Sequence, residues 1–429
     1  MPIEIPSVSA QLYQEIQDGV QTISQLRQKL TEAQTRDVTH MVTVLLLSTI
    51  ALGASDIHLE PEITDIKLRL RIDGMLQDAG TIDRTIYTSL LSRIKLLAGA
   101  KLNIADKPQD GRFSFQIPNG GLIESRVATL PTEYGESAVI RVLNPKNLIK
   151  FSELDLRKDL QEMFVRELKK PNGLIVATGP TGSGKTSTLY ALLNEIIHPE
   201  IKVITIEDPI EYHLPGAIQT QVHPERGYDF ASGLQAIVRQ DPDVILVGEI
   251  RDDQTAQIAL QAALTGHLVF STLHTNNAPG TISRLLSLGS LPINIAAATN
   301  LIIGQRLVRR VCAQCAVYDK TAAEEIAAVE TSVKGLPARI QPQGNARVAK
   351  AKGCSVCNTT GYKGRVGLFE AIVVDGPMEE FILTNPSISA LRDFAAKQGM
   401  ITMRQDGLLK VFQGITTLEE VDRVTADYT

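Results

Sequence analysis

The sequence predicts an α/β protein in which a small α+β domain precedes a mostly parallel sheet covered by helices. Three observations carry this reading. From about residue 155 short β-rich runs alternate with helical stretches, as strands and crossover helices do around a parallel sheet. Between residue 38 and about residue 143 the pattern differs, with an apolar helix followed by strictly alternating runs such as K-L-R-L-R-I at 67–72. The length, 429 residues, suits two to four domains of roughly 100–200 residues each.

Residues 1–37 are polar and helical in pattern, with Leu12, Ile16, Val20, Ile23 and Leu26 at helical spacing, and read as an N-terminal arm or cap. The second segment, 38–147, holds a helix at 41–52, strands at 57–59 and 66–72, a turn at Asp73-Gly74, a helix at 85–97 and three further strand-like runs. Residues 143–154, with Asn144-Pro145, read as a linker. The third segment, 148–310, offers strands at 173–178, 203–207, 244–247 and 267–272, and helices at 187–197, 230–238 and 254–264. A cysteine-flanked insert (311–362) and a helical C-terminal piece (363–429) complete the chain, and the Ala/Glu-rich stretch 321–329 reads as a short exposed helix. The longest apolar stretch, 41–54, contains two Thr and a Ser and is too short to span a bilayer. With no Arg-led signal peptide, a soluble, cytoplasmic protein is expected.

Composition narrows the chemistry. At 43% hydrophobic and 21% charged residues the chain can bury a sizeable core. A net charge of −5 disfavours a basic nucleic-acid coat, and 4% aromatics without Trp disfavours a base-stacking platform.

Gly179-Pro180-Thr181-Gly182-Ser183-Gly184-Lys185-Thr186 satisfies G-x-x-x-x-G-K-[ST] between a buried strand and a helix that Ser187 continues. Such a loop turns successive backbone N–H groups toward phosphate oxygens, backed by the helix dipole. Lys185 is placed to neutralise the β- and γ-phosphates, and Thr186 to ligate Mg²⁺. Acidic residues follow two further strands: Glu249 after 244–247, and Glu207-Asp208 with Glu211 after 203–207. At the carboxyl ends of neighbouring parallel strands they would face the phosphates, to hold Mg²⁺ or orient the attacking water. His274, just beyond another strand, is placed to hydrogen-bond the γ-phosphate.

All four cysteines fall in two C-x₂-C pairs, Cys312/Cys315 and Cys354/Cys357, with 38 residues between them. Two disulfides or four idle thiols are the alternatives. A reducing cytosol disfavours the first and the paired spacing the second, which points to one closed Cys₄ Zn²⁺ site.

Four boxes, G-P-T-G-S-G-K-T, T-I-E-D-P-I-E, R-Q-D-P-D-V-I-L-V-G-E-I-R-D and T-G-H-L-V-F-S-T-L-H-T-N, resemble those of the secretion-superfamily ATPases, the GspE/PilB family. The resemblance runs from about residue 38 to the C-terminus and includes A-S-D-I-H-L-E-P at 54–61 and the stretches 300–309 and 404–411. It implies a RecA-like ATPase domain behind a PAS-like domain, using ATP, Mg²⁺ and Zn²⁺. It also implies a homo-hexamer, peripheral at the cytoplasmic face of the inner membrane, that drives a polytopic platform protein in pilus assembly or type II secretion. Assembly and secretion motors of this family carry the tetracysteine and retraction motors lack it. Within the resemblance Glu249 polarises the water, from the end of the strand beside the P-loop strand, with Glu207 as the other candidate. Arg112 and Arg126, in Q-D-G-R-F and E-S-R-V, lie over the nucleotide. Longer members carry an additional N-terminal domain, whereas about 37 residues precede the shared core here. A P-loop nucleic-acid translocase with a zinc knuckle is the competing reading. It rests on Arg347, Lys350, Lys352, Lys363 and Arg365, and the acidic overall balance disfavours it. A GTP switch lacks an N-K-x-D-type sequence.

Overall fold

The helical pattern of the N-terminal stretch is realised as two helices, α1 (Ala10–Gly19) and α2 (Ile23–Gln34). Ser9 caps the first through the Leu12 N–H, and the Oδ1 of Asn358 accepts the Ile23 N–H at the start of the second, 2.9 Å away. The computed structural model describes residues 8–34, 37–118, 121–145, 148–318 and 323–426. These divide into two units. Unit 1 takes residues 1–147, 312–315 and 352–363; unit 2 takes the rest.

In unit 1 Asp37 caps α3 (Val38–Ala51), and β1 (Ala54–Pro61), β2 (Ile66–Ile72) and β3 (Met75–Ile82) follow. Then come α4 (Arg84–Leu97), β4 (Gln109–Gln116), β5 (Leu122–Thr132) and β6 (Gly135–Leu143). The strands form one antiparallel sheet in the order β3-β2-β1-β6-β5-β4. Alternation does what the sequence predicts: Ile66, Leu68, Leu70 and Ile72 are buried while Lys67, Arg69 and Arg71 are not. A buried ion pair joins α4 to β6, with Lys95 Nζ 3.0 and 2.9 Å from the two Glu136 carboxylate oxygens. Of the two readings of the first 37 residues, arm or cap, the described ones take the second. Ile16, Val20, Leu26 and Leu30 enter the same core as α3 and the sheet, so the segment completes unit 1 rather than preceding it. Residues 1–7 and 35–36 of that segment lie outside the described residues.

Unit 2 begins with α5 (Lys158–Leu168), then alternates β7 (Gly173–Thr178), α6 (Lys185–Ile196), β8 (Val203–Glu207), β9 (Ala217–Gln221), α7 (Phe230–Val238), β10 (Val244–Val247), α8 (Asp253–Leu264) and β11 (Leu268–Leu273). Next are α9 (Ala278–Ser287), α10 (Pro292–Ala298) and the long β12 (Thr299–Val311). Seven strands form one sheet in the order β15-β12-β7-β11-β10-β8-β9, in which β15 is Tyr362–Val373 and every pair from β12 to β9 is parallel. Helices cover both faces: Leu174 and Val176 of β7 enter one core, and Ile175 and Ala177 enter the other. That is why the central strands read as unbroken apolar runs.

The 311–362 insert is not a body of its own. Its two cysteine knuckles group with unit 1, while residues 316–351 group with unit 2. The latter hold β13 (Ala316–Tyr318), paired with β14 (Ala349–Ala351), and α11 (Ala323–Lys334). This helix is longer than the exposed one expected, and it buries Val329 and Val333 against Leu408 and Val411. Thr321 and Ala322 lie outside the described residues. The chain ends in α12 (Gly376–Leu383), α13 (Ile388–Lys397), α14 (Met403–Phe412) and α15 (Leu418–Thr425). Asp406 of α14 is fully buried, and its carboxylate accepts from Arg157 at 2.6 Å, Lys410 at 2.8 Å and the Phe369 N–H at 2.9 Å.

Candidate functional site

The glycine-rich loop leaves the carboxyl end of β7 and enters α6, with Gly184 in the left-handed region (φ 87°) at the helix N-cap. A β-carbon on Gly184 would stand 2.8 Å from the Gln305 Nε2, and one on Gly179 would stand 2.5 Å from the Gln305 carbonyl oxygen. The backbone of the neighbouring strand β12 therefore demands glycine at 179, and the left-handed backbone favours it at 184, independently of any phosphate. Lys185 folds back over the loop and donates to the Gly179 and Pro180 carbonyls at 2.8 and 3.1 Å. Burial pushes its ammonium down to about 8, against the pull of Glu249. Ser183 Oγ is buried without a partner. Such a loop is built for an anion.

Glu249 emerges after β10 at the same sheet end. Its Oε1 meets Arg251 Nη2 at 2.5 Å and its Oε2 meets His274 Nε2 at 3.4 Å; Asp208 stands 3.8 Å from Arg251. Glu249, Arg251 and His274 line one open cavity of about 430 Å³ with Ile250 and Arg284. Burial, then the Lys185 charge, hold His274 below the usual imidazole range, so the ring is neutral at pH 7. One expectation is corrected. The strands beside the P-loop strand are β12 and β11, the latter leading to His274, while the strand leading to Glu249, β10, lies one place beyond β11. The parallel crossovers set that order.

Glu207 is placed differently. Its carboxylate is 3% exposed and accepts from the Tyr190 hydroxyl, from Thr205 at 2.6 Å and from the Gln219 amide at 3.2 Å. Burial and the Glu207 charge push the Tyr190 phenol far up, so it stays a donor.

In unit 1, Arg112 of β4 lies opposite Arg126 of β5, and Arg126 lies opposite Arg141 of β6. Arg141 faces Asp56 of β1, which faces Arg71 of β2. Directly opposite residues share a face, so four arginines and one aspartate cross the sheet in a row. Asp56 accepts from Arg141 Nε at 2.8 Å, and although burial opposes it, this bond holds the carboxyl below its usual range. Arg112 is exposed at the edge.

The four cysteines converge. Their sulfurs lie within 4.8 Å of one another, with Sγ–Sγ distances of 3.9 Å (Cys312/Cys354), 3.8 Å (Cys315/Cys357) and 3.7 Å (Cys354/Cys357). None is disulfide-bonded. A tetrahedral zinc with bonds of about 2.3 Å needs sulfur–sulfur edges of about 3.8 Å. The Cys354 and Gly361 N–H groups point at the Cys357 sulfur from 3.1 and 3.2 Å; against burial, they hold that thiol down to about 7. The donor set fits a thiolate-bound Zn²⁺.

Sequence reasoning missed Gln305 and Arg306 of β12, 2% and 7% exposed, and Arg141. Two polar residues inside the apolar run 301–308 were the available signal for the first pair; strand register was needed for the third.

A family model described as type II/IV secretion system protein matches residues 31–423. The type IV pilus assembly ATPase PilB of Thermus thermophilus is 46% identical over 372 residues, covering 86% of this chain and 41% of that protein. The type II secretion system protein E of Xanthomonas campestris is 41% identical over 409 residues, covering 94% and 70%. Among solved structures, the pilus retraction motor PilT with bound ADP superposes with a TM-score of 0.59 at 28% identity, covering 90% and 96%. The Legionella pneumophila ATPase DotB, at 23% identity and TM-score 0.65 over 90% and 95%, shares the fold.

Proposed function

Because the chain belongs to the type II/IV secretion system protein family, we propose that it is an ATPase whose hydrolysis of Mg²⁺-bound ATP drives type IV pilus assembly or type II protein secretion. The observation that carries this is the meeting of Lys185, Glu249 and His274 at one sheet end, with Glu249 half-open to a cavity. Phosphoryl transfer to water needs positioned charge and one oriented nucleophile, and little else from the protein.

In this reading the loop 179–186 and Ser187 hold the phosphates, Thr186 ligates Mg²⁺, and Glu249 polarises the attacking water. Glu207, with its oxygens taken by three donors, shapes the site from behind. His274 faces Glu249 as a neutral ring able to donate to the γ-phosphate. Arg112 and Arg126 supply cations to the transferring phosphoryl group, and Asp56 orients the neighbouring Arg141. One Zn²⁺ at Cys312, Cys315, Cys354 and Cys357 fixes the two knuckles, and that metal supports the assembly or export direction. The working unit is a homo-hexamer acting on a polytopic platform protein, peripheral at the cytoplasmic face of the inner membrane. Among the described residues, no helix is long and apolar enough to cross a membrane. The names of the relatives support the pilus and secretion reading over nucleic-acid translocation.

Lys185→Ala tests the site. It leaves the β/γ charge uncompensated, and phosphate release from ATP should fall at least about a hundredfold. Wild-type turnover in that variant would remove the loop from the reaction.

A further inference from the structure

Glu370 of β15 is a buried carboxylate that touches the starts of two helices. It is 1% exposed. Its Oε1 accepts the Ala278 N–H of α9 at 2.8 Å, and its Oε2 accepts the Met403 N–H of α14 at 3.2 Å. Each helix N-terminus carries roughly half a positive charge, so one carboxylate between two of them is held from both sides. Burial pushes the carboxyl up, opposed by those two N–H groups and by Arg392 and Arg306. Room is made for it: a β-carbon on Gly304 would stand 2.8 Å from the Glu370 Cγ and 3.1 Å from the Ala278 nitrogen.

Both ends of this bridge lead somewhere. Ala278 is four residues beyond His274. Between them, Thr275 Oγ1 lies 2.6 Å from Thr178 Oγ1, on the last residue of β7 before the phosphate loop, and the Thr275 N–H donates to the same hydroxyl at 3.0 Å. Thr275 also donates to the Asn277 carbonyl at 3.0 Å. On the other side, α14 is locked to β15 by the Phe369 N–H and to residue 157 by the Asp406–Arg157 pair.

We propose that Glu370 is a positioning residue that carries nucleotide occupancy from the loop beside the phosphate site to the C-terminal helices. This rests on the ATPase reading above and assigns that reading its internal transmission. A shift of the Thr178–Thr275 contact on phosphate binding moves the first turn of α9. The carboxylate follows the Ala278 N–H, and α14 follows the carboxylate. Interfaces between packed helices have discrete arrangements, so a small displacement is passed on rather than absorbed.

The test is amide hydrogen exchange of the full chain with and without saturating ADP and Mg²⁺. In the wild type, ADP should slow exchange in both α9 and α14, by about fivefold or more. Glu370→Gln keeps the shape but has one accepting oxygen, so it can serve one helix only. ADP affinity should then stay within about fivefold of wild type, while the α14 response vanishes and the α9 response remains. Gly304→Ala, which crowds the carboxylate without touching its charge, should give the same pattern. Equal α14 slowing in wild type and either variant overturns the proposal. So does a wild type whose α14 ignores ADP, a result that needs no variant to fold. A wild type that binds no ADP overturns the ATPase reading itself and this inference with it, whereas ADP binding with a silent α14 overturns only the inference.

Discussion

Glu249→Gln separates chemistry from structure because the two effects differ in size. The substitution keeps side-chain length and one accepting oxygen but removes the charge. Structurally it loses the Arg251 contact at 2.5 Å as a charged pair, while the neutral His274 ring at 3.4 Å keeps a polar neighbour. Arg251 is 60% exposed and keeps Asp208 at 3.8 Å, so the lost pair is worth about 0–1 kcal/mol. The catalytic loss is larger: a positioned general base contributes about 10²–10⁴ in rate, or about 3–5 kcal/mol. The second effect wins, and the variant should therefore melt within a few degrees of wild type. Its ATP affinity should hold or tighten, since a negative charge near the phosphates is gone. Single-turnover phosphate release with ATP and Mg²⁺, read beside a fluorescent-nucleotide titration, measures both quantities. Hydrolysis within tenfold of wild type by a nucleotide-bound variant would refute the assignment of Glu249.

Metal analysis of the purified chain should find about one zinc per chain, and Cys354→Ser should lose it and destabilise both knuckles, because coordination energy is also folding energy; a metal-free, fully stable wild type refutes the site. Arg112→Ala and Arg126→Ala should fold as wild type and lose about 10²-fold or more in ATPase rate, since each removes a cation offered to the transferring phosphoryl group; unchanged rates in both would make them ordinary surface residues. Asp406→Ala strands Arg157 and Lys410 beside a fully buried position, and urea unfolding should show a loss of about 3–5 kcal/mol. A loss under 1 kcal/mol would mean that water reaches the pair.

Much of the site was legible because its signals are local. The phosphate loop needs consecutive residues, and the strands at 173–178, 203–207 and 244–247 announce themselves as short apolar runs bounded by polar ones. The helix at 230–238 was placed to the residue. What stayed hidden depends on which strand neighbours which. That β11 lies between β7 and β10 is a property of the crossovers, and it moved Glu249 one strand out from where it was expected. Glu207 reads in sequence as a carboxylate facing the phosphates, because Tyr190 and Gln219, which close over it, come from other elements. The N-terminal helices read as either an arm or a cap because their apolar stripe shows in sequence, whereas the surface it covers, α3 and the sheet, does not.

The grouping of the cysteine knuckles with the first unit has a topological consequence. The chain crosses from one unit to the other five times, after Asn147, Val311, Cys315, Ala351 and Lys363. Unit 1 is thus discontinuous in sequence, and no single cut can excise it whole. A fragment ending at residue 145 would lack all four cysteines and Asn358, whose Oδ1 accepts the Ile23 N–H at the start of α2. During synthesis, the first unit is completed only after residues 148–311 of the second have been made. If zinc closes the knuckles, it binds a part of the first unit that arrives last.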